Sequence, residues 1–457
     1  MAATIDFRPD CQETQMNGKL PIAMGLLTRR GLLSAAPAAL VAATGLRSTT
    51  AEAQPAVSAD TEAFLDNVGV CGHFARTNGV YPERFEQILP ELEALGIRHL
   101  RDEGLINATD RRNSPVFQRL RQIVAANIRL TIICYDDLNP YVSTPLDRLA
   151  DFYDWCDGGI ELFEGSNEPV LTKDPQNAPR RSAQHQAALY QTIRSTPRLN
   201  ALGVVAPSYI QTNIPLAQNL EEMCDFGNIH PYAGMEHPET TGPGELSKFV
   251  TASAPIAPRR PMLATEIGYH TSLKTKSYHF PVSEGIKARY MPRMLLWSFV
   301  SGIRRSYMYE MVSSFTGDET NPETSFGLLR HDLSRTPAYE AVRALLSLCK
   351  AKRPTEPVER RIDFLQNDLQ RVSLRLTRPD GASLVPVWLA LRGWQWPAQI
   401  ESPPEERPSI FSVTGPHSQV IAHRFHDNGS VSQRVIQPQG GQYRLPVSDQ
   451  LTVLEVF

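Results

Sequence analysis

FEQILPELEALGIRHLR, residues 85–101, contains one whole unit of the architecture. Phe85, Ile88, Leu89, Leu92 and Leu95 recur at three- and four-residue intervals, which places them on one face of a helix, and Gly96 ends the run. Residues 97–101 then read as a short strand. The alternation repeats on both sides of this stretch. Strands are expected at 68–74, 97–101, 128–136, 160–168, 202–207, 228–232, 261–267 and 305–311, and helices at 115–126, 146–155, 183–193, 216–223, 284–300 and 337–349. Eight strand and helix units joined by right-handed crossovers close into a parallel (β/α)8 barrel of about 250 residues. An open doubly wound sheet is the competitor, but no G-x-G-x-x-G or G-x-x-x-x-G-K turn follows the first strand. The expected fold class is α/β, a TIM barrel over residues 54–350.

After Lys350 the period changes from helical to alternating. Val372, Leu374 and Leu376 are separated by polar residues, Pro379-Asp380-Gly381 makes a turn, and further apolar runs follow at 384–391, 409–413, 420–425 and 451–457. A smaller all-β sandwich is expected over residues 356–457. Its Trp388, Trp394 and Trp396 form either a carbohydrate-binding face or the packing seam against the barrel.

Residues 1–53 read as an address. Thr28-Arg29-Arg30-Gly31-Leu32-Leu33 precedes an apolar run over 35–46, too short to span a bilayer, and Ala51-Glu52-Ala53 offers a small-x-small cleavage site. The segment resembles a twin-arginine export signal, and Met24 would give it a more conventional start. A periplasmic or secreted protein is expected, without stable membrane insertion once the leader is gone. The 404 residues that would remain are enough for a large barrel with an appendage.

Composition narrows the partners. The chain of 457 residues carries 46 basic and 49 acidic side chains, so no general positive field exists for gripping phosphates, and nucleic acid is not an expected partner. Hydrophobic content of 41% excludes a disordered chain. Five of the six cysteines lie outside the leader, with no C-x-x-C pair, and Cys134 sits in an apolar run as a buried thiol. Neither an H-E-x-x-H helix nor a His-x-His on the first strand is present, so no catalytic metal and no cofactor is expected.

In such a barrel the chemistry comes from the carboxyl ends of the strands. The fourth strand ends Phe163-Glu164-Gly165-Ser166-Asn167-Glu168-Pro169, and the seventh Leu263-Ala264-Thr265-Glu266-Ile267-Gly268-Tyr269. A glutamate closing an apolar strand is costly to bury unpaired. Two of them on facing strands are what glycosidic bond cleavage requires, one to protonate the departing oxygen and one to attack or to activate water.

Asn167-Glu168-Pro169 and Thr265-Glu266-Ile267-Gly268, in this order, resemble glycoside hydrolase clan A, the retaining glycosidases built on a (β/α)8 barrel. The resemblance covers roughly residues 66–350. It implies Glu168 as general acid/base and Glu266 as nucleophile, acting by double displacement on a β-glycosidic bond of an oligo- or polysaccharide. It further implies that Arg101 holds the nucleophile ionised, that Asn167 donates to the hydroxyl beside the reacting carbon, and that His230-Pro231-Tyr232 corresponds to the clan's His-x-Tyr element, with Tyr232 on Glu266. His73, ending the first strand, joins the candidate substrate-binding residues. The Tyr307-Met308-Tyr309-Glu310 strand with Phe326-Gly327-Leu328 and Pro337-Ala338-Tyr339 resembles subgroups that include family 39. Many clan members place a tryptophan on this strand as a sugar platform; here Tyr309 or Tyr269 is expected to take its place. Clan members often carry a C-terminal β domain that borrows a strand from the N-terminal segment. A transglycosylase using the same residues, or a catalytically inactive polysaccharide-binding protein, are the alternative readings.

Overall fold

The computed structural model describes residues 58–137, 143–169, 177–210, 213–242, 244–277, 279–351, 360–417 and 419–457; the expected leader at 1–53 lies outside them. Eight parallel strands form the barrel: Val68–Cys71, His99–Glu103, Arg129–Ile133, Ile160–Glu164, Gly203–Val205, Gly227–Ile229, Met262–Ile267 and Arg305–Met308. Strands one to five and six to eight pair with their neighbours in sequence, and the first pairs with the eighth through Val68 and Ser306. A parallel bridge between Val205 and Phe226 closes the ring between the fifth and sixth strands.

The helices outside the ring begin where the sequence supplies capping oxygens. Ser283 accepts from the Ile286 amide at the start of Glu284–Val300, and Thr336 accepts from Tyr339, with Pro337 at the first helical position of Pro337–Cys349. One expectation needs correction. Residues 216–223 do not form a helix: two short 3-10 turns, Ile214–Leu216 and Glu221–Met223, stand there instead. The Asn219 side chain accepts from the Glu221 amide while the Leu220 amide donates across to Ile256 O, so the local hydrogen bonds are diverted from the helical pattern. The helix that packs in this part of the barrel is Leu246–Ser253, a short element that buries Leu246, Phe249 and Ser253 at helical spacing.

The C-terminal part consists of two facing antiparallel sheets. Arg361–Phe364, Arg407–Thr414 and Tyr443–Val447 make one, and Ser383–Leu389 is central to the other. Strand Ser383–Leu389 is buried on both faces, and its two-residue period separates two cores. Val385, Val387 and Leu389 point into the sandwich with Phe411, Leu445 and Val447; Leu384 and Trp388 point into the core shared with the barrel. The short strand Ser58–Asp60 adds in parallel to Arg375–Thr377, so the segment that enters the barrel also borders the second sheet. Asp60 then caps the helix Thr61–Asn67.

Trp388 and Trp394 both lie in the seam. The Trp388 indole donates to Glu239 Oε1 at 2.8 Å and that of Trp394 to Pro281 O at 2.9 Å. Glu239 is buried between the Arg293 guanidinium, His237 and Trp388, and Arg293 also donates to Asp449 O. Burial opposes ionisation of Glu239, but Arg293 and His237 outweigh it and hold the carboxyl at about 2, below its ordinary 4.5. A depressed pKa contributes stability that is complete above the ordinary value and is lost as pH falls toward the folded one. Glu239→Gln is therefore expected to lower the melting temperature at neutral pH and to flatten its fall between about pH 4.5 and pH 2; melting curves across that range check both.

The five described cysteines are buried and none is paired with another. No described helix is long and apolar enough to cross a membrane.

Candidate active site

The site is assembled from the carboxyl ends of the second, fourth, sixth and seventh strands. Arg101, on the second, is its hub. Its Nε and Nη2 meet Glu164 at 2.7 and 2.8 Å, Nη1 meets Glu266 Oε1 at 2.7 Å, and Nη2 also donates to Asn167 Oδ1 at 2.7 Å. A planar guanidinium with donors in a fixed fork is the side chain suited to holding three acceptors at set angles. Glu164 is fully buried and accepts from Asn228 Nδ2 and Thr265 Oγ1 besides Arg101. It positions Arg101 rather than facing the cleft. Sequence reasoning passed over it, although it closes the apolar run of the fourth strand as visibly as Glu266 closes the seventh.

Two adjacent residues of the seventh strand, Thr265 and Glu266, both reach polar partners of the site, which strict alternation would forbid. The register against the eighth strand shifts between Ala264 and Ile267, and this irregularity re-aims the side chains. Glu266 accepts from Tyr232 Oη at 2.7 Å through its second oxygen. Burial raises the cost of ionising Glu266, yet His230, Arg101 and the Tyr232 hydrogen bond overcome it and keep the carboxyl below its ordinary value.

Glu168 sits just beyond the fourth strand at φ 42°, a left-handed conformation unusual for a side chain with a Cβ. The bridge between Asn167 and Ser208 and the bond from the Glu168 amide to Ser208 Oγ fix the turn. Its carboxylate is 2.9 Å from His230 Nδ1, and His230 Nε2 is 3.0 Å from Thr265 Oγ1. Burial disfavours the charged imidazole, but Glu266 and Glu168 outweigh it and raise its pKa. Glu168, His230 and Glu266 each place a side-chain oxygen or nitrogen within 4.8 Å of the others. Among the described residues this is the trio whose donor atoms would fit a metal ion, and each already has a protein partner.

Glu168, Glu266, Asn167, Arg101, His230 and Tyr232 are thus brought together. His73 and Tyr309 stand on an adjoining wall. His73 lies 3.2 Å from Glu310 and 3.5 Å from Glu103, ion-pair distances, and its ring is edge-on to Tyr309. Burial and Arg76 oppose its charge, but Glu103 and Glu310 push His73 up to about 9. Tyr309 donates to Glu323 at 2.8 Å, and burial with Glu310 nearby raises Glu323 to about 7. Tyr269 is not brought to the site. It is buried in the barrel wall, tilted against Tyr290, with its hydroxyl on Glu236 O, and offers no free ring face to a sugar.

No family model and no curated protein matches the chain. Solved structures do. A family 39 glycoside hydrolase from the gut symbiont Bacteroides cellulosilyticus WH2 is 16% identical over 87% of this chain and 82% of that one, with a TM-score of 0.60. AbfB, a family 51 α-L-arabinofuranosidase from Bifidobacterium longum, is 10% identical over 81% and 89%, with a TM-score of 0.54. What is shared at these identities is the fold, a (β/α)8 barrel of the kind found in clan A glycoside hydrolases, continued by β sheets.

Proposed function

We propose that this chain is a retaining O-glycosidase that cleaves β-glycosidic bonds in an oligo- or polysaccharide, with Glu266 as nucleophile and Glu168 as general acid/base. The observation that carries the proposal is the approach of the two carboxylates. An oxygen of each lies within 4.8 Å of the other, a spacing that favours direct attack by Glu266 over attack by an interposed water. Inverting enzymes need roughly 6.5–9.5 Å and retaining ones about 5–5.5 Å.

The chemistry divides between the two residues by environment. Glu266 is held ionised, as a nucleophile must be. Glu168 meets His230 Nδ1 at 2.9 Å, a short contact across which one proton passes between the two side chains. Glu168 passes that proton to the leaving oxygen as the C1–oxygen bond breaks and the bond to Glu266 forms. It then takes a proton from water, which attacks C1, releases Glu266 and yields the sugar with retained configuration. Asn167, its Oδ1 committed to Arg101, is left with its amide hydrogens for the substrate. The pattern of residues 28–53 supports export, so the substrate would be met in the periplasm or outside the cell.

Incubation with xylan, β-glucan, mannan and bacterial exopolysaccharides tests the proposal. A new reducing end whose first-formed anomer, followed by NMR, matches the bond cleaved is the expected result. An inverted anomer would overturn the double displacement, and an added acceptor sugar tells hydrolysis from transfer.

A further inference from the structure

Trp396 is treated differently from its neighbours. Trp388 and Trp394 are buried with their indole N–H groups bonded, whereas Trp396 is only partly buried, packed on the core from the tip of the hairpin formed by Trp394–Gln395 and Ile400–Glu401. Its ring lies 6.3 Å from that of Phe280, planes 34° apart, and Phe280 is among the few large apolar side chains left exposed. The two side chains leave part of their ring surface open side by side.

The hairpin is bolted in place. Trp394 Nε1 donates to Pro281 O, the Gly393 amide to Tyr290 Oη at 2.8 Å, and Gln399 Nε2 to Leu273 O at 3.1 Å; Arg392 pairs with Glu236 at 3.3 Å. All four partners belong to the barrel, and three of them, Glu236, Leu273 and Pro281, stand on the loops after the sixth and seventh strands, at the end where the carboxylates lie. A continuous path leads outward from the nucleophile. Tyr232 holds Glu266, the His279 ring is 4.8 Å from that of Tyr232, and Phe280 is the next residue.

We propose that Phe280 and Trp396 form a sugar-binding platform, contributed jointly by the barrel and the C-terminal sheets, which stacks on a pyranose ring of the substrate chain beyond the scissile bond. An aromatic face carries negative charge density, and the C–H face of a pyranose presents the complementary positive edge while burying apolar area. The position of the pair outside the carboxylate pocket makes the occupant a residue of a chain and not the glycone alone. This inference rests on the glycosidase reading and adds to it a preference for polymers.

Trp396→Ala and Phe280→Ala, with Trp396→Tyr as the conservative control, test it. On whichever polysaccharide of the panel the wild type cleaves, each alanine variant should raise KM about tenfold with kcat little changed, and Trp396→Tyr should recover most of the loss. On a nitrophenyl glycoside of the same sugar all four proteins should be equal. Equal losses on both substrates, or none on the polymer, would overturn the platform and leave the glycosidase assignment standing. Affinity electrophoresis in gels cast with each polysaccharide reads binding apart from turnover: wild type retarded and Trp396→Ala free supports the platform even if no cleavage is seen, and equal mobility refutes it.

Discussion

Glu266→Gln is expected to lower kcat on the cleaved polysaccharide by on the order of 10^4-fold, the scale at which removing a covalent nucleophile leaves only binding and general acid assistance. The variant keeps the volume of the side chain and one acceptor oxygen, but both partners of the carboxylate, Arg101 Nη1 and Tyr232 Oη, are donors. Its amide nitrogen must therefore face one of them, and a modest drop in melting temperature should accompany the loss of turnover. Glu266→Gly with added azide separates chemistry from stability. Azide fits the space vacated by the carboxylate and attacks C1 while Glu168 protonates the leaving oxygen, so a glycosyl azide of inverted configuration should accumulate. In Glu168→Gly the order reverses. Glu266 still forms the glycosyl-enzyme on substrates with a good leaving group, azide replaces water in the second step, and the azide product is retained. Identical azide anomers from the two variants would refute the assigned roles, and undiminished activity in Glu266→Gln would refute the site.

How much of this was legible beforehand depends on the range of each interaction. Helix and strand alternation is a local property, so all eight barrel strands were found, with ends misplaced by a few residues where the pairing stops short, as at Ile160–Glu164. Glu168 and Glu266 were visible because a charged residue ending an apolar run is a local anomaly. The burial of Glu164 is not local. It becomes inevitable only once the second and fourth strands are known to aim Arg101 and Glu164 at each other across the ring, 63 residues apart. The misjudged Tyr269 has the same cause: the irregular register that turns Thr265 and Glu266 together toward the site upsets any extrapolation of which side the next residues face. For the tryptophans, sequence left two options; Trp388 and Trp394 lie buried in the seam, and Trp396 is partly buried against the same core.

The Arg101 hub makes the second large effect a matter of stability as well as rate. Arg101→Met removes the cation between two buried carboxylates, Glu164 and Glu266, and leaves each without its strongest donor. Breaking a buried ion pair from one side costs about 3–5 kcal/mol, because the stranded charge keeps its desolvation penalty, so the variant should melt far below wild type. Glu164→Gln in the same chain should recover part of that loss, since a neutral amide can be buried between Asn228 and Thr265 where a lone carboxylate cannot. Arg101→Lys isolates the electrostatic part. It restores the charge but not the fork that reaches Glu164, Asn167 and Glu266 together, so the fold should survive while Glu266 loses its directed bond. Arg101 is one of the groups that lower the Glu266 pKa; weakening its grip raises that pKa and reduces the ionised fraction at any mildly acidic pH. The acid limb of kcat/KM should accordingly move to higher pH in Arg101→Lys, with the basic limb nearly unmoved. A uniform drop across the whole profile would show that Arg101 only supports the fold, and a melting temperature unchanged in Arg101→Met would show that the two carboxylates do not depend on it.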